Sequence, residues 1–405
     1  MSVAMACYYS TYVIFVMGWM SIRSTFPWLS FPIRTYPTFA ALLLLLCFLP
    51  MFLLIFKTRF GGRTLLFSTL PTIVLLGLIY FGAAFHYYAT IRHPFDAFLQ
   101  MPPKPFDATA VGGSGRVFRI VTLGGSTTRN LHFPEQYNYP YKLQKLLQKR
   151  YPADWIEVLI AGMEWYTTKH SLIHYVTYCN QWHADLVVVM HAVNDLYRSF
   201  AAPEYTIGPY NDEWSHFYGP AIDAANAPTF ERYLLGKLTG SLGWYQTVRA
   251  VDYPLERYAS LSPFDTHLCA IVHYAKSDGA AVLLITQPSL YKDVMSQKEE
   301  AALRFGKSFC VTVRDRFHRD YAGPRSLLGA MNAFNERTRE IAASNQVLLL
   351  DADHLVPKNL ANFIDDVHYT EAGSSLLAEL VAVRIADSGM IAQKQQLERT
   401  SQRDL

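Results

Sequence analysis

Five apolar runs in the later three quarters of the chain predict buried β-strands. The runs are nearly continuous and do not alternate with polar residues, which is typical of strands that are covered on both faces. They are VFRIVTL (117–123), IEVLI (156–160), DLVVVM (185–190), AVLLIT (281–286) and QVLLLD (346–351). Amphipathic segments between them predict helices over 139–150, 169–181, 266–277 and 371–387. This alternation predicts an α/β fold, a doubly wound three-layer parallel sheet over 117–390.

The first 92 residues have a different pattern, with three uncharged apolar stretches at about 3–22, 36–56 and 64–91. Each stretch reaches the roughly 20 residues that cross a bilayer. The first contains Tyr, Ser and Thr and could instead lie in the interface, so two or three transmembrane helices are predicted. The short connection after the second stretch holds Lys57, Arg59 and Arg63. Because basic loops stay in the cytoplasm, the chain after residue 91 is expected to be extracytoplasmic.

Three segments do not follow the alternation of strands and helices. Residues 93–116 contain four prolines and a VGGSG run, so they are predicted to form a linker. Residues 197–262 form a long insertion, and an insertion of this length is usually a lid or a binding surface. Its aromatic residues include Trp214, Trp244 and Tyr245. The polar end of the chain, 391–405, is predicted to be disordered.

Composition and charge narrow the functional class. Only 17% of the 405 residues are charged, against about 25% in soluble domains, which agrees with membrane segments. The net charge is +3, and residues 1–100 hold six basic residues and one acidic residue. The remainder is therefore close to neutral, which argues against nucleic acid as the main partner. The five cysteines include no CxxC pair, which argues against a disulfide framework and a zinc ribbon.

Polar residues that could carry chemistry follow the ends of the predicted strands. Two glycines and Ser126 follow the first strand, where the serine is either part of a turn or a nucleophile that needs a base. Gly162 follows the second strand. Asn194 follows the third and could cap a helix or donate to an oxyanion. Asp365 and His368 lie three residues apart before the last helix, in a surface turn or in an arrangement where the carboxylate orients the imidazole.

As an ordered set, these residues resemble the SGNH, or GDSL-like, hydrolase superfamily. The GGST block at 124–127, the ND pair and the DxxH motif resemble in particular bacterial members with membrane helices at the N-terminus. The resemblance covers about 119–387 and implies a flavodoxin-like sheet. It implies that Ser126 is the nucleophile, that His368 is the base and that Asp365 orients it. The implied oxyanion hole consists of the Ser126 and Gly162 backbone N–H groups and the Asn194 side chain.

Two positions depart from the pattern of this superfamily. Ala192 stands where the family has a glycine, two residues before the asparagine. Ile160 and Ala161 stand where an asparagine is often found near the second block. Neither change removes an atom that the implied reaction uses, but both could narrow the site or slow the reaction.

The resemblance implies a serine esterase that forms an acyl-enzyme and uses no cofactor. The extracytoplasmic placement and the aromatic insertion favour an acylated glycan, above all one with acetyl esters, whose sugar rings would stack on Trp214, Trp244 and Tyr245. A lipid ester is an alternative substrate because the tether to the bilayer is short. Two further hypotheses are acyl transfer to a cell-surface glycan and a non-catalytic role in a membrane complex. The expected location is the bacterial inner membrane, with the hydrolase domain in the periplasm.

Other polar residues have weaker signals. His170 and His174 lie four apart on a predicted helix, which is the spacing of paired metal ligands. The HExxH motif is incomplete and no third ligand is evident, so no metal site is predicted. His191 and Asp195 flank the proposed oxyanion asparagine, either as its supports or as ordinary polar groups at a strand end.

Overall fold

The computed structural model describes residues 77–78, 80–86, 117–130, 133–152, 155–200, 246–251, 258–313 and 318–401. The chain divides into two compact units, Met1–Ile91 and Arg92–Leu405. In the first unit, residues 80–86 are helical. The spans predicted at 3–22 and 36–56, most of 64–91, and the whole of the segment 93–116 lie outside the described residues. Within the described ranges, no helix is long and apolar enough to cross a membrane.

The second unit is built on parallel strands. Its strands are β1 (Val117–Gly124), β2 (Trp155–Ile160), β3 (Leu186–Met190), β4 (Gln246–Val251), β5 (Ala281–Ile285), β6 (Val311–Val313), β7 (His318–Ala322) and β8 (Leu348–Leu350). Five of them form a sheet in the order β2-β1-β3-β5-β8, and each neighbouring pair is parallel. All residues of β3 are buried, as expected for a strand covered on both faces. The predicted α/β fold with a parallel sheet is confirmed.

Helices follow the strands. They are α1 (Tyr139–Arg150), α2 (Thr168–Thr177), α3 (Val193–Phe200), α4 (Leu261–Ser277), α5 (Gln297–Ala302), α6 (Phe305–Phe309), α7 (Pro324–Ser344), α8 (Ala352–Leu355), α9 (Glu371–Asp387) and α10 (Met390–Ser401). The helices predicted over 139–150 and 371–387 have the predicted bounds. In α1, Leu143 and Leu147 are buried on one face, and α9 is capped by the Thr370 hydroxyl, which accepts from the Gly373 N–H.

A second, smaller sheet was not predicted from the sequence. Its strand order is β4-β7-β6, with β4 parallel and β6 antiparallel to β7. The strand β4 belongs to the predicted insertion 197–262, whose two ends are also regular, because α3 extends to Phe200 and α4 begins at Leu261. The insertion is therefore shorter than predicted. Its residues 201–245 and 252–257 lie outside the described ranges.

The prediction of a disordered tail over 391–405 is wrong for residues 391–401, which belong to α10. The Lys394 ammonium donates to the Asp185 carboxylate at 2.7 Å and to the Val117 carbonyl at 2.8 Å, and Ile391 is buried. These tertiary contacts stabilise α10. The helix was not predicted because its sequence is largely polar. Residues 402–405 lie outside the described part of the chain.

Candidate active site

The predicted site residues lie at the carboxyl edge of the five-stranded sheet. Ser126 comes two residues after β1, Gly162 two residues after β2, and Asn194 near the start of α3, which follows β3. The strand β1 lies between β2 and β3, so successive strands are added on opposite sides of it. A crevice forms at such a reversal, outside the carboxyl ends of the strands, and this is where ligands bind in doubly wound sheets.

Ser126, His368 and Asp365 form a chain of hydrogen bonds across this edge. The Ser126 Oγ lies 2.7 Å from the His368 Nε2. The His368 Nδ1 lies 2.9 Å from the Asp365 Oδ2 on its other side. Asp365 and His368 are buried, while Ser126 is partly exposed. A base on the serine and a carboxylate on the base is the arrangement that activates a serine hydroxyl.

The environment of Asp365 keeps its carboxyl group ionised. Burial acts to raise its pKa, but hydrogen bonds from the His368 ring and from two backbone amides outweigh burial, so the pKa lies below its usual value. The amides are those of Val367, at 3.0 Å, and His368, at 2.9 Å. An ionised Asp365 accepts a hydrogen bond from the Nδ1–H of His368, which leaves the Nε2 lone pair directed at Ser126. The neighbouring Asp366 has other partners, so the DxxH spacing identifies the carboxylate that contacts the histidine.

Gly162 and Asn194 both pack against the turn that carries Ser126. The Ala161 and Met163 N–H groups donate to carbonyls of β1 at 2.9 and 3.1 Å. The Gly162 N–H between them does not donate to a carbonyl of β1. A Cβ at Gly125 would lie 2.7 Å from the Asn194 Nδ2. This Nδ2 donates one hydrogen to the Tyr166 carbonyl at 2.9 Å and has a second. The oxyanion roles of the two residues stay a prediction.

The residues on either side of Asn194 connect β3 and α3 to α2. The Asp195 carboxylate accepts from the Thr168 hydroxyl at 2.6 Å and from the Thr168 N–H at 3.1 Å. The His191 Nε2 lies 2.7 Å from the Ser171 Oγ. Burial lowers the pKa of His191 to about 3. Burial also raises the pKa of Asp195 to about 7, although its bonds with Thr168 act to lower it. Both groups therefore support the position of the Asn194 loop.

The two histidines with metal-ligand spacing have structural contacts. The Thr167 N–H donates to the His170 Nδ1 at 3.1 Å, and the His170 ring stacks on Tyr166 with 5.2 Å between centroids. The His174 Nδ1 lies 3.2 Å from the Ala161 carbonyl, and burial lowers its pKa to about 4. No group of three or more His, Cys, Asp or Glu side chains in the described ranges could hold a metal ion.

A cavity of about 220 Å³ opens beside the Ser126 and His368 side chains. Its walls come from the Ser126 turn, from the segment before and at the start of α1, and from the loop before α9 with the first turn of that helix. The apolar side chains in the walls are Phe133, Tyr137, Tyr139, Ile364 and Tyr369. Their signal in the sequence was the aromatic cluster of 133–141, which flanks a predicted helix. The aromatic residues that we predicted for substrate binding, Trp214, Trp244 and Tyr245, lie outside the described residues.

Two further aromatic side chains next to the histidine were not predicted. The Phe305 ring lies 5.1 Å from the His368 ring, centroid to centroid, at an interplanar angle of 64°. The Trp165 ring lies 5.8 Å from the Phe305 ring. Nothing in the local sequence indicates these contacts, because they join three segments that are distant along the chain.

Comparison with known proteins identifies one matching family. A model of the family described as GDSL-like lipase/acylhydrolase matches residues 122–376, more than half of the chain. Similar solved structures include an acetylxylan esterase from Geobacillus stearothermophilus, at 16% identity and TM-score 0.39, covering 68% of this chain and 95% of that one. A putative acylhydrolase from Bacteroides fragilis has 14% identity and TM-score 0.39, with 67% and 88% covered. An α/β hydrolase enzyme from the metagenome of Lake Arreo has 14% identity and TM-score 0.39, with 66% and 94% covered. No curated protein matches the chain.

Proposed function

Since the chain belongs to the GDSL-like lipase/acylhydrolase family and is an ester-hydrolysing enzyme, we propose that it is a membrane-anchored serine esterase. Its substrate is an extracytoplasmic glycan or a related O-ester, from which it removes acyl groups, above all acetyl. The observation that carries the chemical part is the hydrogen-bonded chain from Ser126 through His368 to Asp365, at the mouth of a cavity.

In the proposed reaction, the Ser126 Oγ attacks the ester carbonyl carbon while the His368 Nε2 takes its proton. The negative charge on the carbonyl oxygen is held by the Ser126 and Gly162 N–H groups and the Asn194 Nδ2, and each such donor typically lowers a barrier by about 2.7–4 kcal/mol. The alcohol leaves with the proton from His368, and an acyl-serine remains. Water then attacks the acyl carbon while His368 takes its proton. The bond between the acyl carbon and the Ser126 Oγ breaks, His368 returns the proton to Oγ, and the acid is released.

Replacement of the nucleophile tests the proposed chemistry. The full-length Ser126→Ala protein should hydrolyse an aryl acetate at least 10³-fold more slowly than wild type, a loss of the order seen when a triad member is removed. A fluorophosphonate should label the wild type and not this variant. The matched control is Ser277→Ala, because Ser277 is an exposed serine at the end of α4, next to the start of β5 and therefore at the opposite edge of the sheet. Full activity of the Ser126→Ala protein would contradict the assignment.

The cavity supports a small acyl group. Ligand pockets commonly measure about 300–1,000 Å³, and the 220 Å³ here is below that range. We therefore expect acetate esters to be hydrolysed faster than octanoate esters, and an acetylated polysaccharide to be hydrolysed faster than phospholipid vesicles. The reverse order would favour a lipid ester. If the stacking hypothesis is right, Trp214→Ala and Trp244→Ala should lower turnover of the glycan and not of the aryl acetate.

The proposed anchoring rests on the apolar stretches of the first 92 residues and on the basic loop at Lys57, Arg59 and Arg63. By the positive-inside rule, the hydrolase domain lies outside the cytoplasm, in the periplasm of a bacterium. Alkaline phosphatase is active only outside the cytoplasm. A fusion to it after residue 116 should therefore be active, and a fusion at residue 60 should be inactive. The opposite pattern would reverse the orientation.

A further inference from the structure

Asp366, next to the histidine's carboxylate in sequence, is fully buried and has its own set of partners. Its carboxylate accepts from the Tyr291 hydroxyl at 2.6 Å. It also accepts from three successive backbone amides, those of Arg304 at 2.5 Å, Phe305 at 3.0 Å and Gly306 at 2.9 Å. Three of these four hydrogen bonds thus come from one short segment, at the start of α6.

This segment is pressed closely onto the carboxylate. A Cβ at Gly306 would lie 3.2 Å from the Asp366 Oδ1 and 2.5 Å from the Leu327 Cδ1, so a larger residue does not fit there without movement. The Asp366 carbonyl is fixed as well, because it accepts from the Leu290 N–H at 2.8 Å. As a result, the backbone that carries Phe305 is held at a fixed place relative to the segment that carries His368.

In this position, the Phe305 ring contacts two parts of the site. On one side it meets the His368 ring edge to face, at 5.1 Å between centroids. On the other side it meets Trp165, at 5.8 Å. Trp165 has a positive φ of 65° and belongs to the loop between β2 and α2 that also contains Gly162. The ring therefore lies between the histidine and the loop of a predicted oxyanion donor.

We propose that Phe305 and Asp366 are positioning residues for the histidine. The His368 ring is hydrogen-bonded at Nδ1 to Asp365 and at Nε2 to Ser126. The ring can still swing about its Cβ–Cγ bond when the hydrogen bond to Ser126 breaks, as it does once the serine attacks the ester. Contact with the Phe305 ring restricts this swing and keeps Nε2 directed at the serine, while Asp366 holds Phe305 in place. This inference rests on the proposed role of His368 as the base.

The test compares full-length Phe305→Leu, Phe305→Tyr and Asp366→Asn in aryl acetate hydrolysis. For Phe305→Leu and Asp366→Asn we expect kcat to fall by about 10- to 100-fold, because a misplacement of about 1 Å can slow a reaction by 10². KM should change by less than about twofold, since neither residue lines the cavity. Phe305→Tyr keeps the ring and should retain kcat within about twofold of wild type. Fluorophosphonate labelling of Ser126 should slow in parallel with kcat.

Phe334→Leu is the matched control, because Phe334 is a buried core residue on α7. It should lower the melting temperature and leave kcat within about twofold. Loss of kcat in Phe334→Leu equal to that in Phe305→Leu, or unchanged kcat in Phe305→Leu, would overturn the inference. A crystal structure of Phe305→Leu separates it from the proposed function. Displacement of the His368 ring from Ser126 supports positioning even if wild type hydrolyses no ester, and an unmoved ring overturns it.

Discussion

A methyl group added at Gly162 should damage both the stability and the activity of the protein. The Cβ of an alanine at this position would lie 2.7 Å from the Thr128 Cγ2 and 2.8 Å from the Thr128 Cβ. The Thr128 side chain is fully buried and β-branched, so it has few other rotamers. It also fills the space beside Gly124, where a Cβ would lie 2.0 Å from the Thr128 Oγ1. Relief therefore requires movement of the backbone.

The size of the effect follows from the overlap. Non-bonded carbons rarely approach closer than about 3.4 Å, so the strands and the Ser126 turn must separate by more than half an ångström. Overpacking of a well-packed site costs about 1–3 kcal/mol of unfolding free energy. The same shift moves the Gly162 N–H relative to Ser126. Loss of one oxyanion donor lowers kcat by about 10² to 10³, so a partial shift should lower kcat by at least about tenfold.

Urea unfolding and aryl acetate kinetics of the full-length variants measure the two effects. Gly329→Ala is the control, because on α7 the new Cβ meets only the Tyr258 hydroxyl, at 3.7 Å. It should raise stability by about 0.5–1 kcal/mol through helix propensity and leave kcat unchanged. Adding Thr128→Ser to Gly162→Ala removes the nearest atom and should restore part of the loss. If Gly162→Ala matches wild type in both assays, the packing argument is wrong.

Two further predictions concern stability. Burial lowers the pKa of His191 to about 3 in the folded protein, against about 6.5 in the unfolded chain. The contribution of His191 to the free energy of unfolding is therefore present above about pH 6.5 and is lost as the pH falls toward about 3. In urea unfolding between pH 6 and 4, His191→Gln should therefore remove a slope of about 1.4 kcal/mol per pH unit. Asp195→Asn should change the dependence of stability on pH in the opposite sense, because the pKa of Asp195 is raised to about 7. Equal slopes in the wild type, His191→Gln and Asp195→Asn would refute both pKa shifts. Lys394→Met should lower stability by about 1 kcal/mol by removing the contact between α10 and Asp185, whereas an unchanged urea midpoint would show that α10 is held by other contacts.

The elements of the main sheet could be predicted because their signal is local and strong. Each of its strands is a nearly continuous apolar run, which is typical of buried parallel strands. The small sheet gave no such signal, since β6 has three residues and β7 reads HRDYA. The helix α7 is not among the predicted helices. Its buried residues Leu327, Met331 and Phe334 nevertheless recur at helical spacing after a proline in the first turn. Its pattern was sufficient to predict it.

The site was predictable to the extent that its residues lie in short motifs. The Asp365 and His368 contact spans three residues, and the spacing alone favoured it. The contact of His368 with Ser126 joins residues 242 apart, and it followed from the order of the predicted strands together with the resemblance. The contacts of Asp366 lie 60 to 75 residues away and depend on how α6 packs. No local pattern in the sequence encodes such a contact.

The contact of Lys394 with the Val117 carbonyl has a consequence for the architecture of the domain. It brings the last helix to the first residue of β1, so the chain enters and leaves the domain at the same edge of the sheet. Ser126 lies at the other end of this strand, about 25 Å away at 3.3 Å per residue. The start of β1 and the candidate nucleophile are thus separated by the full length of a strand. Changes in the length of the segment before β1 should therefore leave the Ser126 and His368 contact unaltered.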